Sequence, residues 1–179
     1  PNKKLNSRLY QYWVKWHWLH FTHPYTLSEV GNNKANLQRL FRFGGFPESF
    51  EKFLHRWHTE LIHKLVKTDL RDLENVQDLD KIQLLAETLP TRIGSPLSYK
   101  TLAEDLQIHF KTCKRWIGIL DSLYYAFVIS PFGAPKIRAV KEEQKLYLAD
   151  FSQVEDLGAR FKNIVACQLL KSCHFQEDT

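Results

Sequence analysis

Methionine is absent from this chain of 179 residues, cysteine occurs only three times, and no long apolar run is present. A membrane-spanning helix needs about 20 consecutive apolar residues, and no secretory signal pattern is visible either. We therefore expect a cytoplasmic protein with no membrane partner. Because the chain begins at Pro1 without a methionine, we also expect it to be a fragment of a longer protein.

The chain also lacks the residue patterns of a catalytic centre. No glycine-rich loop ending in Lys-Ser or Lys-Thr is present to bind ATP, and no cluster of carboxylates with a lysine is present for a metal-dependent nuclease. Cys113, Cys167 and Cys173 are odd in number and match no zinc spacing, so we predict reduced, buried thiols. The sequence predicts no catalytic residue, no metal site and no cofactor in this chain.

Apolar residues make up 44% of the sequence and charged residues 25%, which is typical of a globular protein with a real core. An aromatic segment around residues 10–19 predicts a strand, and it contains Trp13, Trp16 and Trp18. Helical spacing then follows over residues 33–43, 47–65 and 79–89, with breaks at Gly44-Gly45 and Pro90. The expected fold is mainly α with a small β wing: a helical block plus a winged helix-turn-helix.

The winged helix-turn-helix is predicted over residues 98–150. Ser98 is a good N-cap for a short helix, and a second amphipathic helix follows from about Lys111 to Leu123 after a tight turn. Two strands are predicted next, over residues 124–129 and 145–148, and a loop containing Pro131, Gly133 and Pro135 joins them. Helix, turn, helix and a two-stranded wing are the order of a winged helix.

The net charge of the chain, +5, is concentrated in this segment. Residues 107–141 contain six basic residues and a single acid, Asp121, which equals the excess of the whole chain. If the module binds DNA, the second helix presents His109, Lys111, Thr112, Lys114 and Arg115, and the wing presents Lys136, Arg138 and Lys141. Gly118 on the same helix face permits close approach and costs about 1 kcal/mol of helix propensity. Winged helices also dock proteins, so both interpretations stay open.

Several motifs occur in an order that resembles one family. They are Ser7-Arg8-Leu9-Tyr10, His23-Pro24, Gly44-Gly45-Phe46-Pro47-Glu48, Asp69-Leu70, Asn75-Val76-Gln77-Asp78-Leu79, Leu102-Ala103-Glu104-Asp105-Leu106, Lys145-Leu146-Tyr147-Leu148 and Phe161-Lys162-Asn163. Together they resemble, over about residues 10–170, AAA+-superfamily ATPases of bacteria and archaea that carry an uncharacterised C-terminal region. Thr68 replaces a usual Arg, Lys162 replaces a usual Glu, and residues 14–22 look like an insertion.

The resemblance implies four segments. Residues 1–32 would be the tail of a truncated ATPase domain, 33–95 a helical block, 96–150 the winged helix, and 151–179 the start of a truncated nuclease-like region. ATP and magnesium are implied only for the missing ATPase domain. Lys162 puts a carboxylate role for the last helix in doubt.

Two functions follow as expectations. The first is a non-catalytic regulatory or interaction arm that couples the ATPase to a partner or to neighbouring subunits, with Trp13, Trp16 and Trp18 as its exposed apolar surface. The second is nucleic-acid binding through the second helix and the basic wing, with DNA as the partner. A free-standing transcription factor is a third interpretation, and the helices before Ser98 disfavour it.

Overall fold

Seven α-helices and one two-stranded antiparallel sheet form most of the described part of the chain, which is residues 23–52, 78–131 and 144–177 of a computed structural model. The helices are α1 (Leu27–Val30), α2 (Lys34–Phe43), α3 (Pro47–Lys52), α4 (Leu79–Thr88), α5 (Tyr99–Asp105), α6 (Phe110–Ser122) and α7 (Leu157–Glu177). The strands are β1 (Ala126–Ile129) and β2 (Lys145–Leu148), and short 3-10 helices cover Leu89–Arg92 and Phe151–Gln153. The fold class is therefore mainly helical with a small antiparallel sheet.

Local side-chain caps set where several helices begin. Asn33 accepts a hydrogen bond from the backbone N–H of Asn36 at 2.8 Å, and Ser98 accepts one from Thr101 at 3.2 Å. Each cap satisfies a backbone donor that has no partner inside its helix. The predicted Ser98 cap is confirmed.

Gly44 ends α2 for two physical reasons. Its φ is +82°, in the left-handed region that side chains disfavour. A Cβ there would also lie 2.6 Å from Oδ1 of Asp150, so the backbone approaches the chain after β2 more closely than any other residue would permit. The predicted break at Gly44-Gly45 is confirmed as the end of α2.

A short turn joins α5 to α6, and the antiparallel pair β1–β2 follows α6. Gln107 lies in the turn at φ +52°, and His109 is the N-cap of α6. Strand β1 starts two residues later than predicted, because Tyr124 has φ +57° and Tyr125 turns into the core. The hydroxyl of Tyr125 donates a hydrogen bond there to the carbonyl of Ala86 at 3.1 Å. The bounds of β2 agree with the prediction, and its register pairs Ala126 with Leu148.

The larger of two hydrophobic clusters packs α4, α5 and α6 against the sheet. Trp116 and Leu120 of α6 lie in its centre at 2% and 1% exposure, beside Leu85 and Leu102. Helix α6 therefore buries one face completely, and its opposite face is the one that solvent reaches.

The second cluster joins the beginning and the end of the described chain. Leu40 and Phe50 pack there against Phe151 and the α7 residues Ile164 and Cys167. Long-range contacts between α7 and the first helices thus hold the 21-residue helix α7 in place.

Asn163 fastens α7 to the open edge of the sheet. It is completely buried, its Oδ1 accepts from the N–H of Leu148 at 2.9 Å, and its Nδ2 donates to the carbonyl of Leu148 at 2.6 Å. The side-chain amide therefore occupies the place that a third strand would take.

The three cysteines are free thiols, and they differ in burial. Cys113 and Cys167 are buried free thiols as predicted, but the prediction is wrong for Cys173, which is exposed because it follows Leu169 on the solvent side of α7. The aromatic strand at residues 10–19 and the helix beyond Lys52 lie outside the described residues.

Candidate interaction surfaces

The first candidate surface is the solvent side of α6. Lys111, Lys114 and Arg115 are exposed there, and Thr112 is half-buried. Since Cys113, Trp116 and Ile117 point into the core, helical spacing leaves the three cations together on the outer side. The three cations are thus on the exposed side of the helix, as the spacing predicts, whereas Thr112 is only partly exposed.

His109 lies at the start of this surface and has a structural contact as well. Its Nδ1 accepts a hydrogen bond from the backbone N–H of Lys111 at 3.1 Å. That contact requires the tautomer with the proton on Nε2, so Nε2–H is the outward donor. The side chain is exposed, and an anion at the start of α6 would meet this donor beside Lys111.

Six residues of the predicted surfaces lie outside the described residues. They are the wing residues Lys136, Arg138 and Lys141 and the tryptophans Trp13, Trp16 and Trp18. The structure places the other five predicted residues at the N-cap of α6 or in its first half. They are His109, Lys111, Thr112, Lys114 and Arg115.

The second candidate surface was not predicted from the sequence. Leu157, Phe161, Val165 and Leu169 of α7 are exposed by 67%, 53%, 41% and 62%. Residues spaced by four form a ridge along a helix, so these side chains make one continuous apolar line, the α7 ridge. The spacing is visible in the sequence, but only the packing shows that this line faces away from the core.

A shallow cavity extends the α7 ridge toward α2. Its volume is about 320 Å³, and Leu157, Arg160, Leu37 and Phe41 are among its lining residues. Phe41 also stacks on Phe161, with ring centroids 6.3 Å apart. Contiguous exposed apolar area of this kind is typical of a surface that another protein segment covers.

Charged and imidazole groups meet where α7 contacts the start of the described chain. Lys171 is 8% exposed and donates to both carboxylate oxygens of Glu29, at 2.7 and 2.8 Å. Nearby, Nδ1 of His174 lies 3.0 Å from Nε2 of His23. Burial first, and then the charges of His174 and Lys171, lower the pKa of His23 to about 4. Both imidazoles can share one hydrogen only while at least one ring is neutral.

The buried thiols are poor nucleophiles. Burial raises the pKa of Cys113 to about 11 and that of Cys167 to about 12, so both are protonated at neutral pH. In residues 23–52, 78–131 and 144–177, no group of three or more His, Cys, Asp or Glu side chains is placed to hold a metal ion.

A family model matches most of the sequence. Residues 34–159 match the family described as Domain of unknown function (DUF8612), and the chain belongs to this family. The matched range runs from α2 to the start of α7 and so includes the basic side of α6. No curated protein and no solved structure matches the chain. None of the helices that the structure describes is long and apolar enough to cross a membrane.

Proposed function

We propose that this chain is a non-catalytic winged-helix arm of an AAA+-type ATPase and that the α7 ridge joins the arm to a further protein segment. The winged-helix interpretation rests on the order of α5, turn, α6 and the antiparallel strands β1 and β2. The predicted wing between the strands lies outside the described residues. The ATPase context rests on the resemblance of the motifs.

The observation that carries the arm function is the α7 ridge. Four large apolar side chains, each at least 41% exposed, lie on one side of a helix that is otherwise held firmly by Asn163 and Lys171. An exposed line of this size on a fixed helix favours a covered surface over a chance distribution of single apolar residues. The occupant is the remainder of the nuclease-like region, of which the resemblance makes residues 151–179, and therefore α7, the start.

A differential experiment tests this function. The double substitution Leu157→Gln with Leu169→Gln replaces the two most exposed side chains of the ridge. In the present chain it should change the free energy of unfolding by no more than about 0.5 kcal/mol. In the longer ATPase the same two side chains would be buried, so the cost should rise to about 3 kcal/mol or more, with altered ATP hydrolysis.

Lys162→Gln, on the same helix and exposed, is the matched control and should be silent in both proteins. Equal effects of the double substitution on the short chain and on the longer ATPase would contradict the arm function.

The exposed basic side of α6 favours a second function, binding of DNA. Lys111, Lys114 and Arg115 lie together on a helix that follows a tight turn, and the outward Nε2–H of His109 adds a donor at the helix start. A helix in this position can enter the major groove, with its cations near phosphates.

The test is the salt dependence of duplex binding, measured by fluorescence anisotropy. Lys114→Ala with Arg115→Ala should weaken binding about ten-fold or more at about 50 mM salt and should reduce the log–log salt slope by about 2. The control is Lys34→Ala with Lys52→Ala, which removes the same charge from exposed positions of α2 and α3. If the α6 variant binds duplex DNA as well as the parent at low salt, the DNA function is wrong.

A further inference from the structure

Gly118 lies within the continuous helix α6, at a position where nothing among the described residues requires glycine. The residue is exposed and lies near the middle of the 13-residue helix. Apart from proline, glycine is the least favourable residue for a helix interior. Within a protein, glycine is required in a helix either because the backbone has a positive φ or because a Cβ would collide with a neighbouring atom.

Neither internal reason applies here. Gly118 has helical backbone geometry, unlike Gly44 with its positive φ. A Cβ built on Gly118 would have no heavy atom of the described residues within 4 Å, whereas one on Gly44 would collide with Asp150. A Cβ at position 118 therefore meets nothing among the described residues, and that part of the chain supplies no reason for the glycine.

The surroundings of Gly118 indicate what kind of partner would come close. Lys114 and Arg115 lie one helical turn before it, and Lys111 lies two turns before it on the same side. The helix surface around the missing side chain is therefore cationic, which fits a polyanion.

A helix with its side chains is about 10–12 Å in diameter, and the major groove of B-form DNA is about 12 Å wide. A helix in that groove has little lateral room. At a glycine the helix is narrower by the width of one side chain, so a wall of the groove can come closer to the helix backbone there.

We propose that Gly118 is the point at which the sugar-phosphate backbone of a DNA duplex packs directly against α6, so that the glycine sets how deeply the helix enters the groove. The proposal rests on the second proposed function, DNA binding through α6. It assigns a positioning role to Gly118 and a backbone-gripping role to Lys114 and Arg115.

The test compares stability with affinity in Gly118→Ala and Gly118→Leu. Both substitutions improve helix propensity in open space, so each should raise the Tm by about 2–4 °C. With a fluorescein-labelled duplex of about 20 base pairs at about 50 mM salt, the leucine variant should bind at least about ten-fold more weakly. The alanine variant should bind about two- to three-fold more weakly, because its side chain is a single methyl group.

Ala35→Leu is the matched control, since it places the same leucine side chain at an exposed position of α2 and should leave binding unchanged. The salt slope of both Gly118 variants should equal that of the parent, because no phosphate contact is removed. That slope distinguishes their effect from the effect of Lys114→Ala with Arg115→Ala.

The outcomes separate the two proposals. If the Gly118 variants bind as tightly as the parent while the charge variant loses binding, the close-approach proposal is overturned and the DNA function stands. If the parent binds no duplex at low salt, both are overturned. An equal loss of affinity for single-stranded DNA would also overturn the assignment, since a single strand has no groove wall.

Discussion

Replacing Asn163 by leucine should destabilise the protein far more than an ordinary substitution on a helix. Asn163 is completely buried and satisfies both backbone groups of Leu148 at once, the N–H at 2.9 Å and the carbonyl at 2.6 Å. Leu148 is itself completely buried, so water cannot replace the lost partner of its N–H.

The magnitude follows from these contacts. A buried donor left without a partner costs about 1–3 kcal/mol, and the lost hydrogen bond to the carbonyl adds about 1 kcal/mol. The carbonyl of Leu148 keeps one weaker contact, from the Sγ of Cys167 at 3.2 Å, which limits the second cost. We expect the free energy of unfolding to fall by about 2–4 kcal/mol, which corresponds to a Tm lower by about 5–15 °C.

The assay is urea unfolding followed by circular dichroism, with Lys162→Leu as the control on the exposed side of the same helix. The control should stay within about 0.5 kcal/mol of the parent. A second variant, Asn163→Asp, tests the geometry. Its carboxylate can accept from the N–H of Leu148 but faces the carbonyl with a charge, and burial raises its pKa. Its deficit relative to the parent should therefore shrink in acid, where the protonated side chain donates as the amide does.

An Asn163→Leu protein that unfolds at the urea midpoint of the parent would refute this reasoning. So would an Asn163→Asp deficit that does not change with pH.

Three further predictions concern local features. Gly44→Ala should cost about 1–3 kcal/mol, since φ is +82° and the new Cβ would collide with Asp150; an unchanged urea midpoint would contradict this. Ser98→Ala should cost about 1 kcal/mol by loss of the cap, and Ser98→Asp should restore most of it in the same assay. The third prediction concerns the pH dependence of stability through His23. Burial, and after it the charge of His174, lower the pKa of His23 to about 4. Between about pH 6.5 and pH 4 the unfolded state binds a proton at His23 that the folded state does not bind. The free energy of unfolding is therefore highest above about pH 6.5 and decreases as the pH falls toward 4. For this partly exposed group we expect a loss of about 1–2 kcal/mol after solvent screening. His23→Gln should flatten the curve of unfolding free energy against pH in that window, and a parent-like slope would count against the assignment.

Short-range signals made much of the fold predictable. The alternation in Lys-Leu-Tyr-Leu predicted β2 with its observed bounds, and Ser98 predicted the start of α5. Strand β1 was harder, because Tyr124 and Tyr125 look like strand residues. Their aromatic side chains favour a strand. The positive φ of Tyr124 and the long-range hydrogen bond of Tyr125 to Ala86 instead place both residues before the start of β1.

The two candidate surfaces differ in how far they could be predicted from the sequence. Lys111, Lys114 and Arg115 could be placed on one side of α6 from helical spacing alone, because Trp116 and Ile117 had to be buried. The α7 ridge could not be found in this manner. A helix with apolar residues on several sides gives no indication from its sequence of which side packs inward.

By itself, then, the sequence determined the start of α5 at Ser98, the break at Gly44, the strand β2 and the basic side of α6. Each of these depends on residues a few positions apart, through caps, backbone preference or helical periodicity. Only the tertiary structure decided that Asn163 completes the edge of the sheet, that Lys171 pairs with Glu29, and that the α7 ridge faces solvent. Those contacts join residues far apart in the chain, so they exist only once the path of the backbone has brought the partners together.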